Sequence, residues 1–214
     1  MGEANDSCRT AIVAITVHSH GDNGDVAAQA ARVSFICTAN RARSPFTAAL
    51  LGRLVSNQPI VVDSFGILEQ AEAPALPGAV RVASGFGIDL SRHHARALHR
   101  DDLARSDLAI GFEPSHVAAA IETGGVPAER SFLLAELADV LEVDVLPWPA
   151  GTDTLSAKIG HANARRFASG RLPRSVLDPV GKSDREFERT YDEIARCVGI
   201  IGMRLFSAEP VRIG

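Results

Sequence analysis

Short apolar runs alternate with longer helix-forming stretches along most of the chain. Four of these runs are rich in β-branched and aliphatic residues, and they predict strands at residues 33–37, 60–65, 107–112 and 131–134. Helical patterns fill the segments between them. Because alternating strands and helices build parallel sheets with both faces covered, the pattern predicts an α/β fold with helices on both sides of one parallel sheet.

The last helix has a regular apolar pattern. Between residue 183 and about residue 206, apolar side chains recur at spacings of three and four, at Phe187, Tyr191, Ile194, Val198 and Ile201. Ser183, followed three residues later by Glu186, predicts a capping box at the start of this helix. We therefore expect one stripe of the helix to pack on the sheet.

Two segments depart from the alternation of strands and helices. Residues 1–31 are predicted to be an N-terminal extension, because residues 18–25 cluster turn-forming residues and no periodic pattern leads into them. The remainder, residues 32–214, is predicted to be one domain. Its connection at about 142–177 is longer than a compact sheet needs, which suggests an inserted lid.

Charge and cysteine content exclude several classes of protein. The chain has 214 residues and a formal net charge of −4, so it lacks the surplus of basic residues that general nucleic-acid and membrane binders need. Its three cysteines are too sparse for a disulfide framework or paired metal ligands, and the apolar run at 11–17 is too short to span a membrane. We expect a cytoplasmic protein without a nucleic-acid or membrane partner.

Candidate chemistry is concentrated where the first predicted strand ends. Cys37, five intervening residues, Arg43 and Ser44 form the pattern C-x5-R-S, and Pro45 then fits the first turn of a helix. The N–H groups at a helix start bind anions, and Arg43 can close such a nest with a bidentate contact. The same positive field favours the thiolate of Cys37, which is a nucleophile. The motif alone leaves open a plain alternative, in which Cys37 is a buried strand-end residue and Arg43 a solvated cap.

A second region narrows this choice by resemblance. The segment VLDPVGKSDREFERTYDEI at 176–194, together with VSFICTANRARSP at 33–45, resembles the two defining sites of the low-molecular-weight protein tyrosine phosphatase family. The segments GIDLSRHHARAL at 87–98 and VDSFG at 62–66 are also similar to the family's sequence. The resemblance covers roughly residues 32–206 and implies a four-stranded parallel sheet flanked by helices, with no metal or organic cofactor.

The resemblance also implies roles for individual residues. Cys37 would be the nucleophile of a cysteinyl-phosphate route, Arg43 the phosphate clamp and Asp178 the general acid and base. The phosphate-binding loop would comprise Thr38, Ala39, Asn40, Arg41, Ala42 and Arg43. The hydrogen-bond network that supports the loop would comprise Asn40, Ser44, Ser64 and His93. Taken without the resemblance, Asp178 is a turn residue and His93 a surface histidine.

Several positions depart from the family pattern. Ala39 stands where glycine is common, which would strain the loop if that position requires a positive φ. Ala42 replaces a second cysteine that some members carry. Val180 and Gly181 follow the Asp-Pro pair, where members that act on phosphotyrosine have aromatic residues, and Arg41 replaces an aliphatic residue. These changes leave two classes of phosphate monoester substrate open, a phosphotyrosine protein and a small phosphorylated metabolite.

Basic residues near the predicted pocket favour a small polar substrate with further anionic groups. Arg41 and Lys182 lie beside the two catalytic segments. The connection adds Lys158, His161, Arg165, Arg166, Arg171 and Arg174. A cationic rim of this kind would bind a carboxylate or a second phosphate, although a merely solvated basic face would have the same composition.

Two other activities are compatible with the same scaffold. An arsenate reductase would use the same nucleophile and anion loop but needs further thiols, and no cysteine occurs between Cys37 and Cys197. A catalytically silent phosphate-binding module would be consistent with Ala39 and the altered rim.

Overall fold

The computed structural model describes residues 30–70, 72–143, 148–166 and 173–208. Most of the extension predicted for residues 1–31, including Cys8, lies outside the described residues. Its last residue, Ala31, already belongs to the first strand. The division of the chain into an extension and one domain therefore stays a prediction.

The sheet has four parallel strands, as predicted. They are β1 (Ala31–Cys37), β2 (Ile60–Gly66), β3 (Leu108–Gly111) and β4 (Ser131–Leu133). Their order in the sheet is β2-β1-β3-β4, and β1 pairs with both β2 and β3. The predicted strand ends are correct to within two residues.

Seven α-helices connect or flank the strands in the described part of the chain. They are α1 (Arg43–Leu54), α2 (Pro77–Gly85), α3 (Arg100–Leu103), α4 (Pro114–Glu122), α5 (Leu134–Val143), α6 (Leu155–Arg165) and α7 (Asp184–Phe206). Within this part of the chain, none of them is both long and apolar enough to cross a membrane.

Helices cover both faces of the sheet, because side chains of β1 alternate between two hydrophobic clusters. Val33 and Phe35 belong to the larger cluster, with residues of α1, α5 and α7. Ile36 points to the smaller cluster on the opposite face, with Leu103 of α3 and Ala120 of α4. The prediction of an α/β sandwich is therefore confirmed.

Helix α7 forms as its sequence predicts. Ser183 and Glu186 make the reciprocal capping box, and all five residues of the apolar stripe are buried. Its Tyr191 stacks on Phe46 of α1, with ring centroids 4.1 Å apart. The Tyr191 hydroxyl donates to the carbonyl oxygen of Ala42 at 3.0 Å, so this helix supports the segment between β1 and α1.

The described part of the 142–177 connection packs against the body of the protein. Its helix α6 contacts α5 and α7, and the indole N–H of Trp148 donates to the carbonyl oxygen of Arg204 at 3.2 Å. At its far end, the Val176 N–H donates to the carbonyl oxygen of Phe112 at 2.9 Å, next to the end of β3. The connection thereby delivers Asp178 to the same edge of the sheet as Cys37.

Candidate active site

The candidate site lies at the carboxyl ends of the two central strands. The chain leaves β1 for β2 on one side and leaves β3 for β4 on the other, so the connections that follow β1 and β3 diverge at this edge. Ligands of open α/β sheets bind at such a switch point. Cys37 ends β1, and residues 38–42 lead into α1, whose N-terminus has no side-chain cap at Ala42. The helix start therefore leaves N–H groups available to an anion.

Asn40 holds the loop from inside. Its side-chain amide donates to Ser44 Oγ at 2.8 Å and to Ser64 Oγ at 2.9 Å, and its Oδ1 accepts from the Arg96 N–H at 2.9 Å. Nε2 of His93 lies 2.7 Å from the Asn40 carbonyl oxygen. Burial lowers the pKa of His93, so the neutral ring donates this bond. The structure thus brings together all four residues assigned to the supporting network.

The left-handed residue of the loop is Asn40, with a φ of 54°, and Ala39 is not in this conformation. Asparagine tolerates it better than most residues. Close packing occurs instead at Gly66, where a Cβ atom would lie 2.7 Å from the carbonyl carbon of Ala39. Ala39 therefore adds no left-handed strain, and the glycine that the loop needs stands on β2.

Cys37 is almost completely buried and has two hydrogen-bond partners at its sulfur. Sγ lies 3.0 Å from Ser44 Oγ and 3.3 Å from the backbone N–H of Asn40. Both groups can donate to a thiolate, and the positive end of α1 lies beside them. The Cys37 sulfur therefore faces two hydrogen-bond donors at the start of α1.

Arg43 is the largest of the fully buried side chains, and its guanidinium links the loop to two other segments. Nη2 donates to Asp178 Oδ2 at 2.6 Å and to Thr38 Oγ1 at 3.2 Å. Nη1 donates to the Val176 carbonyl oxygen at 3.1 Å and forms an ion pair with Glu113. One buried cation is thus shared by two carboxylates, which fixes the orientation of the fork.

Sequence reasoning missed Glu113 and His116, which follow the end of β3. Glu113 pairs with Arg43, and His116, only 1% exposed, lies 3.1 Å from Thr38 Oγ1 through its Nε2. Burial, and then the positive charge of Arg43, lowers the pKa of His116 to about 4. Only their position in the sequence could have indicated them. Both residues come just after the third predicted strand, at the same edge of the sheet where Cys37 ends the first.

The site encloses a cavity of about 260 Å³. Asp178 lines it together with six residues of the loop, namely Cys37, Thr38, Ala39, Arg41, Ala42 and Arg43. Leu68, Leu76 and Val180 supply the apolar part of its lining. The pocket is therefore polar at the bottom and aliphatic near its mouth.

The predicted cationic rim is wrong for most of its members. Arg41 lines the pocket, but its Nε donates to the Pro74 carbonyl oxygen at 2.8 Å. Lys158 donates to the Leu205 carbonyl oxygen, and Arg174 pairs with residues of α5 and α7. The other described members of the set do not line the pocket either, namely His161, Arg165, Arg166 and Lys182. Arg171 lies outside the described residues. Lys158 and Arg174 instead contact residues of α5 and α7, and no local pattern in the sequence indicates these contacts.

The described residues include no cluster of three or more His, Cys, Asp or Glu side chains that could hold a metal ion. The polar groups around the pocket are those of an oxyanion site.

Comparison with known families matches residues 32–153 to the low molecular weight phosphotyrosine protein phosphatases. The chain belongs to this family. The match covers β1 to the start of the 142–177 connection, and it includes the loop with Cys37 and Arg43. Asp178 lies beyond the matched range, so its place in the site rests on the structure.

Individual relatives agree with the family assignment. A stretch of 75 residues is 35% identical to the probable low molecular weight protein-tyrosine-phosphatase EpsP of Ralstonia nicotianae, covering 35% of this chain and 50% of EpsP. The chain thus spans about half the length of the curated relatives it matches.

Solved structures show the same fold. The Erwinia amylovora tyrosine phosphatase AmsI superposes with a TM-score of 0.61 at 19% identity, covering 86% of this chain and 99% of AmsI. A low molecular weight protein tyrosine phosphatase from T. tengcongensis gives 0.60 at 23% identity, covering 80% and 97%. At these identities the superpositions establish the architecture alone.

Proposed function

We propose that this protein hydrolyses phosphate monoesters through a cysteinyl-phosphate intermediate on Cys37. The observation that carries the proposal is the convergence of three groups on one pocket: the Cys37 thiol, the Arg43 guanidinium and the Asp178 carboxyl group. They are a nucleophile, an anion clamp and a proton donor, which together suffice for phosphoryl transfer. Membership of the phosphatase family supports this assignment.

Binding begins with the phosphate group at the start of α1. The N–H groups of residues 38–43 and the guanidinium of Arg43 surround the oxygens of the phosphate. Arg43 also donates to Asp178, so an incoming phosphate competes for donors of the same fork. The ion pair with Glu113 holds the guanidinium of Arg43 in position while the phosphate replaces Asp178.

The first chemical step transfers the phosphoryl group to sulfur. The Cys37 thiolate attacks phosphorus, an S–P bond forms, and the P–O bond to the alcohol or phenol breaks. The bound phosphate displaces Asp178 from Arg43, which favours the protonated form of its carboxyl group. Protonated Asp178 then gives its proton to the departing oxygen, and this assistance matters most for poor leaving groups. Donors to the phosphoryl oxygens stabilise the charge that develops in the transition state.

The second step returns the enzyme to its starting state. The Asp178 carboxylate takes a proton from water, the water oxygen attacks phosphorus, and the S–P bond breaks. Inorganic phosphate leaves, Cys37 is again a thiolate and Asp178 again carries a proton. Over both steps one ester and one water become one alcohol and one phosphate.

The aliphatic mouth of the pocket favours an aryl phosphate, such as phosphotyrosine in a protein, over a highly charged metabolite. Leu68, Leu76 and Val180 can pack against a ring, and Arg41 is engaged with Pro74. The names of the curated relatives, protein-tyrosine-phosphatases, support the same substrate class. A small phosphorylated metabolite is the alternative that the assay must exclude.

No observation favours the other two activities. An arsenate reductase needs an accessible second thiol. Among the described residues the second thiol is Cys197, which is fully buried in α7, where burial raises its pKa to about 11. Cys8 lies outside the described residues. A silent phosphate-binding module was suggested by strain at Ala39, and the positive φ lies at Asn40 instead.

The deciding experiment is to trap the intermediate. The protein is mixed with a ³²P-labelled phosphotyrosine peptide, quenched in acid within milliseconds and digested for mass spectrometry. We expect label on the peptide that contains Cys37, together with steady release of phosphate. Label on another residue would disprove the route, and faster turnover of sugar or nucleoside phosphates than of the peptide would disprove the substrate class.

A further inference from the structure

We propose that His116 is a positioning residue: it fixes the hydroxyl group of Thr38 so that this hydroxyl donates its proton into the phosphate pocket. The inference rests on the proposed function, because the expected acceptor is a phosphoryl oxygen. The motif places Thr38 in the phosphate-binding loop but gives no role to its hydroxyl group or to His116.

The protonation of His116 follows from its partners. Nδ1 faces two backbone N–H groups, that of Phe112 at 3.3 Å and that of Glu113 at 3.1 Å. Both groups can only donate, so Nδ1 must accept and carries no proton. The ring is neutral, because burial opposes its charged form. The single ring proton is therefore on Nε2, which lies 3.1 Å from Thr38 Oγ1 and donates to it.

The Thr38 hydroxyl group accepts two hydrogen bonds, and these restrict the direction in which its own proton can point. A hydroxyl oxygen accepts at two lone pairs and donates once. The His116 Nε2–H and the Arg43 Nη2–H, at 3.1 and 3.2 Å, occupy both lone pairs. Among the described residues no acceptor takes the remaining proton, and Thr38 lines the cavity. The proton thus points to the space above Cys37, where phosphoryl oxygens would lie.

The charges around His116 keep this arrangement in one state. Arg43 of α1 disfavours a second ring proton, whereas Glu113 at the start of α4 and Asp178 before α7 favour it more weakly than burial opposes it. A protonated ring could not accept from the two N–H groups at Nδ1. The neutral form alone both caps α4 and donates to Thr38.

This double role allows a matched pair of variants. Asparagine at 116 places its oxygen near the position of Nδ1 and keeps the cap of α4, but it cannot reach Thr38. Glutamine at 116 places its amide near the position of Nε2 and keeps the bond to Thr38, but it leaves the two N–H groups without Nδ1. A positioning role predicts that His116→Asn impairs catalysis more, and that His116→Gln impairs thermal stability more.

The kinetic test uses an aryl phosphate with the full-length protein. We expect Thr38→Val, which has nearly the same shape, to lower kcat/KM about 10- to 100-fold, and Thr38→Ser to lose less. His116→Asn should lower kcat/KM about 3- to 10-fold, mainly through kcat, and His116→Gln should lose less. In a Thr38→Val background His116→Asn should have no further effect, because its target is gone.

Three results would overturn the proposal. The first is equal loss of kcat/KM in His116→Asn and His116→Gln. The second is an undiminished effect of His116→Asn in the Thr38→Val background. The third is direct: ¹⁵N NMR of the wild-type ring at pH 7 must show the proton on Nε2, and a proton on Nδ1 would contradict the inference even if the variants fail to fold.

Vanadate binding separates this inference from the proposed function. Isothermal titration of vanadate needs no turnover, and it should show weaker binding to Thr38→Val and His116→Asn than to His116→Gln. Vanadate binding in this order without hydrolysis of any ester would refute the phosphatase proposal alone. Hydrolysis by the wild type with equal vanadate binding by all variants would refute the role of His116 alone.

Discussion

The two segments that build the candidate site are held in very different ways. In the phosphate loop, Cys37, Asn40, Arg43 and Ser44 are at most 3% exposed, and hydrogen bonds from β2, α1 and the 93–96 segment hold it. The second segment, residues 177–180, carries Asp178 and is called the acid loop. In it, Leu177 is 74% and Val180 52% exposed. Asp178 there is held by the Arg43 fork and by a turn in which the Val180 N–H donates to Oδ1 at 3.1 Å. A buried loop held by many hydrogen bonds is thus combined with an exposed segment that carries the proposed proton donor.

Because the two loops are held so differently, we expect oxyanion binding to depend on the phosphate loop and leaving-group chemistry to depend on the acid loop. The phosphate loop should bind an oxyanion whether or not the acid loop is intact, because its donors are fixed before the ligand arrives. The acid loop should influence the leaving group and the organic part of the substrate. The following changes test this division, from the largest expected effect to the smallest.

Replacing the nucleophile should abolish turnover while oxyanion binding by the phosphate loop remains. Cys37→Ser is expected to lower kcat by at least about 10⁴-fold, because a serine hydroxyl is far less ionised than this thiol. Vanadate or phosphate should still bind within a few-fold of wild type. Cys197→Ala, a change at the buried thiol of α7, is the matched control and should keep kcat. Appreciable turnover by Cys37→Ser would refute the assigned nucleophile.

Removing the acid should affect substrates unequally. Asp178→Asn is expected to slow turnover by about 10² to 10⁴-fold for esters with poor leaving groups. An activated aryl phosphate should suffer less, because its leaving oxygen hardly needs a proton. Plotting log kcat against the leaving-group pKa should therefore give a steeper slope for Asp178→Asn than for the wild type. Parallel lines would mean that Asp178 serves only to orient Arg43.

Acid should weaken the support behind the phosphate loop. The folded-state pKa of His116, about 4, lies below the unfolded value of about 6.5, so the unfolded chain binds more protons between these values. Stability should then fall as pH falls from about 6.5 towards 4, by up to about 3 kcal/mol from this residue. The lowered pKa of His93 acts in the same direction.

Urea unfolding at a series of pH values measures this slope. His116→Asn should flatten it, because asparagine does not titrate. The matched change His94→Asn, at an exposed histidine, controls for the substitution itself. An unaltered slope in His116→Asn would show that this ring is not held neutral.

The close contact between Gly66 of β2 and Ala39 of the phosphate loop can be tested by substituting glycines. Gly66→Ala would place a methyl group 2.7 Å from the Ala39 carbonyl carbon, so we expect a loss of about 1–3 kcal/mol in stability and weaker vanadate binding. Gly52→Ala, on α1 with nothing within 4 Å of its added methyl, should instead stabilise by roughly 0.5–1 kcal/mol. Unchanged vanadate affinity in Gly66→Ala would show that the loop tolerates displacement at Ala39.

Much of the site was predictable because its residues lie in short, contiguous motifs. The loop from Cys37 to Ser44 joins a strand to a helix, and this local order already places an anion site there. Strand positions and the capping box of α7 follow from periodicity and propensity, which neighbouring residues determine. The acid Asp178 was recognised by resemblance, not by periodicity, since an Asp-Pro pair is also a common turn.

The sequence by itself determined the order of the elements, the parallel sheet, and the position of the loop and cysteine that we propose as anion site and nucleophile, because each follows from patterns and motifs of residues close together in the chain. Only the tertiary structure decided how Arg43 is shared between Glu113 and Asp178, why His116 contacts Thr38, and why the basic residues at 158 and 174 lie away from the pocket. These contacts join residues 19 to 135 positions apart. Such contacts depend on how helices pack across the sheet. The spacing of side chains along the chain indicates which face of an element is buried but not which distant residues it contacts.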